Sequence, residues 1–323
     1  MKRADGLATT RTRRGRKPSA PEIKGRLVRL DPTIEQVKLF TVQPKGRSMP
    51  EATVVEWSDW LSVHERERSA HFVKASDGTE YPQIRVKRPT RLGEVHQSLM
   101  FALLRMAGSL RRDSQTFAEA ESGPLIPRNA PHAGKKLVVD TGIGELAKAV
   151  GIGHGGNNRR IVYRALMDLR EVEYRYKYID GNSVVETDGE RLMLFDVRDG
   201  LDVKAIISTR LTTLFLASET GWFEQYVGND FVDRMSLPSG VDRLLHAWLS
   251  SRVRRGGQPR RFDLDAVVDG LWTSRYTAKQ DMAGRRFLVR NALERIDGLE
   301  GWSVSESCGT VEVFRPTMEA VDG

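Results

Sequence analysis

The chain has 323 residues, of which 39% are hydrophobic and 29% are charged, and its formal net charge is +8. This length and hydrophobic content allow two or three domains with buried cores, and the positive charge favours a polyanionic partner. The one cysteine, Cys308, excludes an intrachain disulfide and a cysteine-rich metal site. No apolar run approaches the roughly 20 residues that span a bilayer, and the basic N-terminus lacks the apolar core of a signal peptide, so we expect a cytoplasmic protein with no membrane partner.

Residues 1–22 are polar and basic, with few side chains that a core could bury, which predicts a disordered tail. Residues 1–18 carry seven Lys and Arg against one acid, so most of the net charge lies in this segment. Arg14 and Arg16 flank Gly15, and an Arg-Gly-Arg segment on a flexible arm can enter an A·T-rich minor groove. We therefore predict DNA contacts for Arg14 and Arg16. The alternative is a solvated tail without a specific role.

Residues 23–90 form a strand-rich N-terminal extension. The segments GRLVRL and QIRVKR alternate apolar and basic side chains, as half-buried strands do. The residues of this extension indicate no particular function.

Residues 91–222 contain the helical pattern of a DNA-binding module. A hydrophobic helix is expected over residues 95–110, and a short helix over residues 143–150 ends before Gly151, which suits the left-handed position after a helix. After the turn, Asn157 and Asn158 are predicted to cap a second helix. Its apolar stripe consists of Val162, Ala165, Leu166 and Leu169.

Strand-like runs follow this helix-turn-helix. Tyr174, Tyr176 and Tyr178 alternate with basic residues up to the Asp180-Gly181 pair, and two further runs flank Asp199-Gly200. Asp-Gly between alternating segments is a strong hairpin signal. These hairpins complete a first winged-helix domain.

Residues 223–323 repeat the pattern. From Pro238 onward three helical segments precede two short alternating runs around Cys308-Gly309, the order of helix, helix, helix, wing. In the third segment, one apolar stripe is formed by Val289, Ala292, Leu293 and Ile296. Residues 252–290 carry ten basic against four acidic side chains, a second focus of positive charge.

Two copies of one module favour DNA binding over two merely solvated helix faces. We predict an α+β fold of tandem winged-helix domains behind a basic, disordered N-terminal tail, with one helix of each module in a major groove. The predicted DNA-binding residues of the two helices are Asn158, Arg159, Arg160, Arg164, Lys279, Gln280, Arg285, Arg286 and Arg290.

No set of residues predicts catalysis, a metal site or a cofactor. Residues 151–156 match G-x-G-x-x-G, but a helix precedes them where the dinucleotide fingerprint needs a strand, so a tight turn explains the glycines better than nucleotide binding. His246 lies among apolar residues, which favours a packed structural role. Asp263, Asp265 and Asp269 could suggest a metal cluster, but near the start of a helix the first two more simply favour the positive end of its dipole.

The chain resembles the plasmid replication initiators that bind iterons, of the TrfA and RepC types, from about residue 95 to Pro316. The matching residues of the first module are Leu146-Ala147-Lys148-Ala149-Val150-Gly151 and the helix that follows to Leu169. Those of the second are Leu237-Pro238, Asp242-Arg243-Leu244-Leu245-His246, Val289-Arg290, Ala292-Leu293, Gly301-Trp302 and Arg315-Pro316. The first 90 residues do not match that family.

This resemblance implies a non-enzymatic initiator that binds directly repeated duplex sites at a plasmid origin, helps to open the adjacent A·T-rich duplex, and works with a replicative helicase or host initiation proteins. It also implies that the chain can form a homodimer. The main alternative is a dimeric transcriptional repressor with the same modules, which predicts a palindromic operator. A structural or protein-interaction role predicts no affinity for DNA.

Overall fold

The computed structural model describes residues 27–30, 39–42, 61–62, 72–74, 80–82, 84–87, 92–110, 117–119, 135–153, 155–180, 183–186, 190–198, 201–207, 227–272 and 279–316. The helices in this part of the chain are α1 (Glu94–Leu110), α2 (Ile143–Ala149), α3 (Gly156–Arg170), α4 (Phe231–Ser236), α5 (Val241–Arg252), α6 (Leu264–Leu271) and α7 (Lys279–Asp297). The strands are β1 (Leu27–Leu30), β2 (Leu61–Ser62), β3 (Phe72–Lys74), β4 (Glu80–Pro82), β5 (Ile84–Lys87), β6 (Phe117–Glu119), β7 (Lys135–Gly142), β8 (Glu173–Asp180), β9 (Ser183–Glu186), β10 (Glu190–Arg191), β11 (Met193–Arg198), β12 (Asp202–Ile207), β13 (Val227–Asp230), β14 (Arg260–Asp263), β15 (Ser303–Ser307) and β16 (Thr310–Phe314).

The fold is α+β, with small antiparallel sheets, and it contains the same arrangement twice. In what we call the first module, α1 is followed by β7, α2, α3 and the hairpin β11–β12, and β12 pairs with both β11 and β7. In the second module, α5 is followed by β14, α6, α7 and the hairpin β15–β16, and β16 pairs with both β15 and β14. In the first module β8, β9 and β10 lie between α3 and the hairpin, so the two modules share this order of helices and paired strands but are not identical. The strand that precedes each helix pair, β7 or β14, was not part of the prediction.

The apolar stripes predicted for α3 and α7 form the inner faces of these helices. All eight stripe residues are at most 4% exposed: Val162, Ala165, Leu166, Leu169, Val289, Ala292, Leu293 and Ile296. The two stripes have the same spacing, so each position of α3 has an equivalent position in α7 127 residues later. This correspondence allows the outer faces of the two helices to be compared residue by residue.

Turn chemistry fixes the connections as the sequence predicted. Gly151 adopts a φ of 73° after α2, which a residue with a Cβ rarely does. The two predicted hairpins form, since Asp180 at the end of β8 pairs with Ser183 of β9 and Arg198 of β11 pairs with Asp202 of β12. Gly181, Asp199 and Gly200 lie outside the described residues. At the tip of the last hairpin, Cys308 and Gly309 both have positive φ values, 50° and 81°, as a two-residue hairpin turn requires.

The predicted caps of α3 are wrong. The helix begins one residue before Asn157, with Gly155 as its N-cap residue and no side-chain cap hydrogen bond. The Nδ2 atom of Asn158 lies 3.2 Å from the position that a Cβ of Gly153 would occupy. Asn158 therefore lies against the glycine turn from inside the helix instead of closing the helix end.

The strands of the N-terminal extension pair with both halves of the chain. β1 pairs with β13 just before the second module, and β5 pairs with β8 just after α3. In addition, the Val42 amide donates to the carbonyl of Leu271 at the end of α6. The described part of the extension is thus integrated with the two modules through backbone hydrogen bonds.

The two modules share one continuous hydrophobic core, and buried arginines join them. Arg243 of α5 donates to the carboxylate of Glu94 in α1 at 3.1 Å and to the carbonyl of Val150 after α2 at 3.3 Å. Arg234 of α4 is fully buried and donates to Ser98 and Gln97 of α1 at 2.7 and 2.9 Å. These contacts hold the start of the second module against the α1–α2 surface of the first.

Candidate nucleic-acid interface

Helix α3 is anchored at its C-terminal end. Near its C-terminus Asp168 accepts a hydrogen bond from His96 of α1 at 3.1 Å, and the other ring nitrogen of His96 accepts from the Gly93 amide at 3.0 Å. After the last turn, the carbonyl of Glu171 accepts from Arg191 at 2.6 Å, which satisfies a helix-end acceptor. Together with the buried stripe, these contacts give the outer face of α3 a fixed orientation.

Three predicted DNA-binding arginines, Arg159, Arg160 and Arg164, are exposed on α3. Within the described part of the chain, no acidic side chain pairs with any of them. Arg160 and Arg164 are four residues apart and therefore neighbours on the face opposite the buried stripe. Asn158, in contrast, is half-buried beneath the first turn. Among the described residues, the first module therefore presents two or three guanidinium groups without an acidic partner near a helix N-terminus.

Arg285 does not lie on an outer face of α7. It is 7% exposed, and its guanidinium carbon lies 5.1 Å from the centre of the Trp272 ring. The physical reason is its position four residues before Val289, which places it on the apolar stripe. The prediction of a DNA contact for Arg285 conflicts with this burial, and a cation–π contact with Trp272 replaces it.

Arg286 and Arg290 of α7 both pair with carboxylates from other elements. Arg286 donates from Nε and Nη2 to the two oxygens of Asp265 in α6, at 2.6 and 2.5 Å. Arg290 donates in the same way to Glu306 of β15, at 3.2 and 3.3 Å. In each pair one planar guanidinium faces one carboxylate, the geometry that orients an arginine most firmly.

These pairs shift the titration of the carboxylates. The hydrogen bonds from Arg286 hold the pKa of Asp265 below its ordinary value, and the same bonds raise the pKa of Arg286. Hydrogen bonds from Arg290 and from the Gly309 amide lower the pKa of Glu306. Both acids are therefore charged at neutral pH, and each cancels one arginine charge on the α7 surface.

The Asp265–Arg286 and Glu306–Arg290 pairs border a surface cavity of about 420 Å³. It is lined by Asp263, Leu264, Asp265, Ala283, Arg286, Arg290 and Gly309. Asp263 caps α6 by accepting from the amides of Asp265 and Ala266, which confirms the expected placement of acids at this helix start. The pairing of Asp265 and Glu306 with the arginines was not predicted, because each acid lies on a neighbouring element, 21 or 16 residues from its arginine, beyond the reach of a helical repeat.

The structure describes no side chain for four of the predicted DNA-binding residues. Arg14 and Arg16 lie outside the described residues, as do the side chains of Lys279 and Gln280 at the start of α7. In the described part of the chain, no helix combines the length and the apolar composition needed to cross a membrane.

Comparison with known proteins gives likeness in structure only. No protein-family model matches the chain, and no curated protein matches it in sequence. Among solved structures it is similar to a crystal structure of domains 2 and 3 of RctB in selenomethionine form, with a TM-score of 0.46 and 12% identity over 76% of this chain and 89% of that one. A second crystal structure of RctB domains 2–3 gives a TM-score of 0.45 and 10% identity over 87% and 95% of the two chains. At TM-scores below 0.5 this likeness assigns no function.

Proposed function

We propose that this chain is a sequence-specific duplex-binding protein that acts as a replication initiator, by binding and not by catalysis. It uses two winged-helix modules, each of which places one helix in the major groove of a directly repeated origin site, an iteron. Binding promotes opening of the adjacent duplex, where a replicative helicase is loaded with the help of host initiation proteins. A plasmid origin is the proposed setting.

The observation that carries this proposal is the outer face of α3. An arginine side chain on a protein surface usually lies near an acidic side chain or is only solvated. Here Arg159, Arg160 and Arg164 are exposed together, have no acidic partner among the described residues, and project from a helix fixed by His96 and Arg191. A rigid helix of this kind with bidentate donors suits phosphates and guanine edges in a major groove.

The order of elements gives independent support. In both modules a helix pair follows a strand and precedes a hairpin whose second strand pairs with that first strand. A winged helix has this order, and its second helix is the one that enters the groove.

The two modules are not equivalent in charge. Arg286 and Arg290 already have carboxylate partners, so a DNA phosphate would have to replace Asp265 or Glu306 or bind beside it. The electrostatic gain from the second module is therefore smaller than from the first. We expect the first module to supply most of the counterion release, and the second to contribute mainly contacts that fix the position of the chain on its site.

The test begins with selection of bound duplexes from a random pool by the full-length protein, followed by affinity measurements at several salt concentrations. A long, asymmetric consensus with steeply salt-dependent affinity supports the proposal. Each phosphate contact contributes about 0.9 to the slope of log affinity against log salt, so Arg160→Ala with Arg164→Ala should lower that slope by about 2 if both bind phosphates. The matched control is Arg105→Ala, because Arg105 is an exposed arginine on α1, outside both helix pairs and both hairpins.

Three results would contradict parts of the proposal. No enrichment of any duplex would remove DNA binding and favour a protein-interaction role. A short palindrome bound by a dimer would replace the initiator with the repressor alternative. If the Arg286→Ala, Arg290→Ala variant lowers affinity and salt slope more than the Arg160→Ala, Arg164→Ala variant, the assignment of the main electrostatic contact to the first module is wrong.

A further inference from the structure

Both groove-entering helices expose an aliphatic side chain at the same helical position. Ile161 in α3 is 41% exposed and Leu288 in α7 is 45% exposed, and each directly precedes the first valine of the buried stripe. A single exposed apolar residue is ordinary on a protein surface. The recurrence at equivalent positions of two helices with the same buried stripe indicates a shared role.

The neighbours of Ile161 identify the kind of ligand. A helix rotates by about 100° per residue, so Arg164 is displaced from Ile161 by about 60° around the axis and Asn157 by about 40°. All three side chains are exposed, and Arg160 is on the same outer face. An apolar side chain thus lies among polar groups that can hydrogen-bond phosphates and base edges.

In a major groove, the one apolar group on a base edge is the 5-methyl group of thymine. It lies beside hydrogen-bond acceptors, so a surface that contacts it needs an aliphatic side chain surrounded by donors. The outer face of α3 has this composition. A protein partner fits the same face less well, because covering Ile161 with apolar atoms would also remove water from the guanidinium groups of Arg160 and Arg164.

The second helix has a related face with fewer charges. Leu288 lies between Gly284 and Asn291, with Phe287 next to it at 62% exposure. Arg286 and Arg290 lie on the flank that faces Asp265 and Glu306. A groove contact here relies more on apolar atoms, which also suits a thymine methyl group.

We propose that Ile161 contacts the methyl group of a thymine in the major groove, and that Leu288 does the same in the other half of the site. This inference rests on the proposed duplex-binding function and adds to it a requirement: the target contains a thymine in the part of the site under each helix. These two residues then determine specificity without making a hydrogen bond.

The test uses full-length protein and the selected duplex, in which each thymine is replaced in turn by deoxyuridine. Deoxyuridine keeps the same base pairing and loses only the methyl group. We expect two sensitive positions, one per half of the site, each with an affinity loss of about fourfold, the factor expected for burying one group the size of a methylene. All other thymines should be replaceable without effect.

Variants show which side chain contacts which thymine. Ile161→Ala should lose about the same factor on the thymine duplex and become insensitive to deoxyuridine at one position, and Leu288→Ala should behave in the same way at the other. The controls are Val232→Ala and Leu201→Ala, which truncate side chains that are 45% and 49% exposed outside α3 and α7. They should leave both the affinity and the deoxyuridine pattern unchanged.

The wild-type measurement needs no variant, so a folding defect in Ile161→Ala does not prevent a decision. A duplex bound equally well with thymine and deoxyuridine at every position overturns this inference and leaves the proposed function intact. Failure to select any duplex overturns both. If Ile161→Ala or Leu288→Ala abolishes a dimer in sedimentation and leaves the deoxyuridine pattern unchanged, that face is a contact between two copies and the thymine assignment is wrong.

Discussion

The buried contact between Arg243 and Glu94 should contribute strongly to the stability of the protein, and Arg243→Met tests it. Methionine keeps much of the aliphatic stem and removes the guanidinium. Arg243 is 8% exposed and donates to the Glu94 carboxylate and to the carbonyls of Leu237, Val150 and Met235, at 3.0 to 3.3 Å. Its removal leaves these acceptors without that donor in a site closed to water.

Breaking a buried ion pair by removing one partner costs about 3–5 kcal/mol. Glu94 retains a hydrogen bond from Ser98 at 2.5 Å and has Arg234 at 3.9 Å, so we expect the lower end, about 3 kcal/mol. This is a large part of the 5–15 kcal/mol that stabilises a typical domain. Urea unfolding, followed by far-ultraviolet circular dichroism and by tryptophan fluorescence, measures the change in the free energy of unfolding.

The matched control is Arg198→Met, which removes an exposed arginine that pairs with Asp196 at 3.3 Å, and it should change the free energy of unfolding by less than about 0.5 kcal/mol. In Arg243→Met combined with Glu94→Gln, the carboxylate is removed together with its partner, so no buried charge is left unpaired. The double variant should therefore lose less than the sum of the single losses, by at least about 1 kcal/mol. A loss for Arg243→Met no larger than that of the control would refute the reasoning.

Three further predictions concern single sites and one segment. His246 is fully buried, and desolvation together with repulsion from nearby arginines lowers its pKa well below 6.5. The unfolded chain therefore binds the proton more readily than the folded chain, and stability should fall as the pH drops below about 6.5. In thermal unfolding, the stability of His246→Gln should fall less over the same pH range. Gly270→Ala places a Cβ 2.8 Å from Cε2 of Trp248 and should lower the free energy of unfolding in urea by about 1–3 kcal/mol. Gly284→Ala is the control, because its Cβ meets open space, and it should raise the free energy of unfolding by about 0.5–1 kcal/mol. Equal effects of the two substitutions would contradict the packing at Trp248. Deletion of residues 1–18 should lower DNA affinity and its salt slope if the arginines of this tail bind the minor groove, and unchanged binding would assign the tail to solvent.

The sequence predicted those features that depend on near neighbours. The stripe from Val162 to Leu169 needs only a 3.6-residue period, and the position of Gly151 needs only the steric freedom of glycine. Hairpins at Asp180-Gly181 and Cys308-Gly309 follow from local turn chemistry. Because the same local signals recur in both halves, the duplication could also be predicted.

What could not be predicted depends on contacts between distant segments. Asp265 lies 21 residues before Arg286, and Glu306 lies 16 residues after Arg290, so the neutralisation of the second basic helix appears only when α6, α7 and β15 pack together. Arg285 is different, since its place four residues before Val289 already puts it on the apolar stripe. That signal was present and was outweighed by the expectation that arginines lie on surfaces.

The burial of Arg234 and Arg315 also depends on contacts between distant segments, and it could not be predicted from the sequence for that reason. Arg234 and Arg315 are 0% and 2% exposed, although arginine is among the residues that are least often buried. Arg234 lies over the ring of Phe101 and Arg315 over the ring of Trp302, at 4.9 and 4.4 Å. The aromatic rings, the side chains of Ser98 and Gln97 at Arg234 and the Val253 carbonyl at Arg315 compensate the loss of water. Desolvation still lowers the pKa of Arg315 to about 10. Neither aromatic partner is near its arginine in sequence.

The contacts between the modules bear on the symmetry of any bound DNA. Arg234 and Arg243 join the modules through buried hydrogen bonds, so α3 and α7 keep one relative orientation, and their outer faces differ in charge. A single chain therefore presents two unlike helices at a fixed separation, and a duplex bound by both should be asymmetric within one site. An asymmetric site has a direction, so chains bind head to tail only where neighbouring sites repeat in one orientation. A palindrome would instead require two chains related by a two-fold axis, and the measured consensus distinguishes these arrangements.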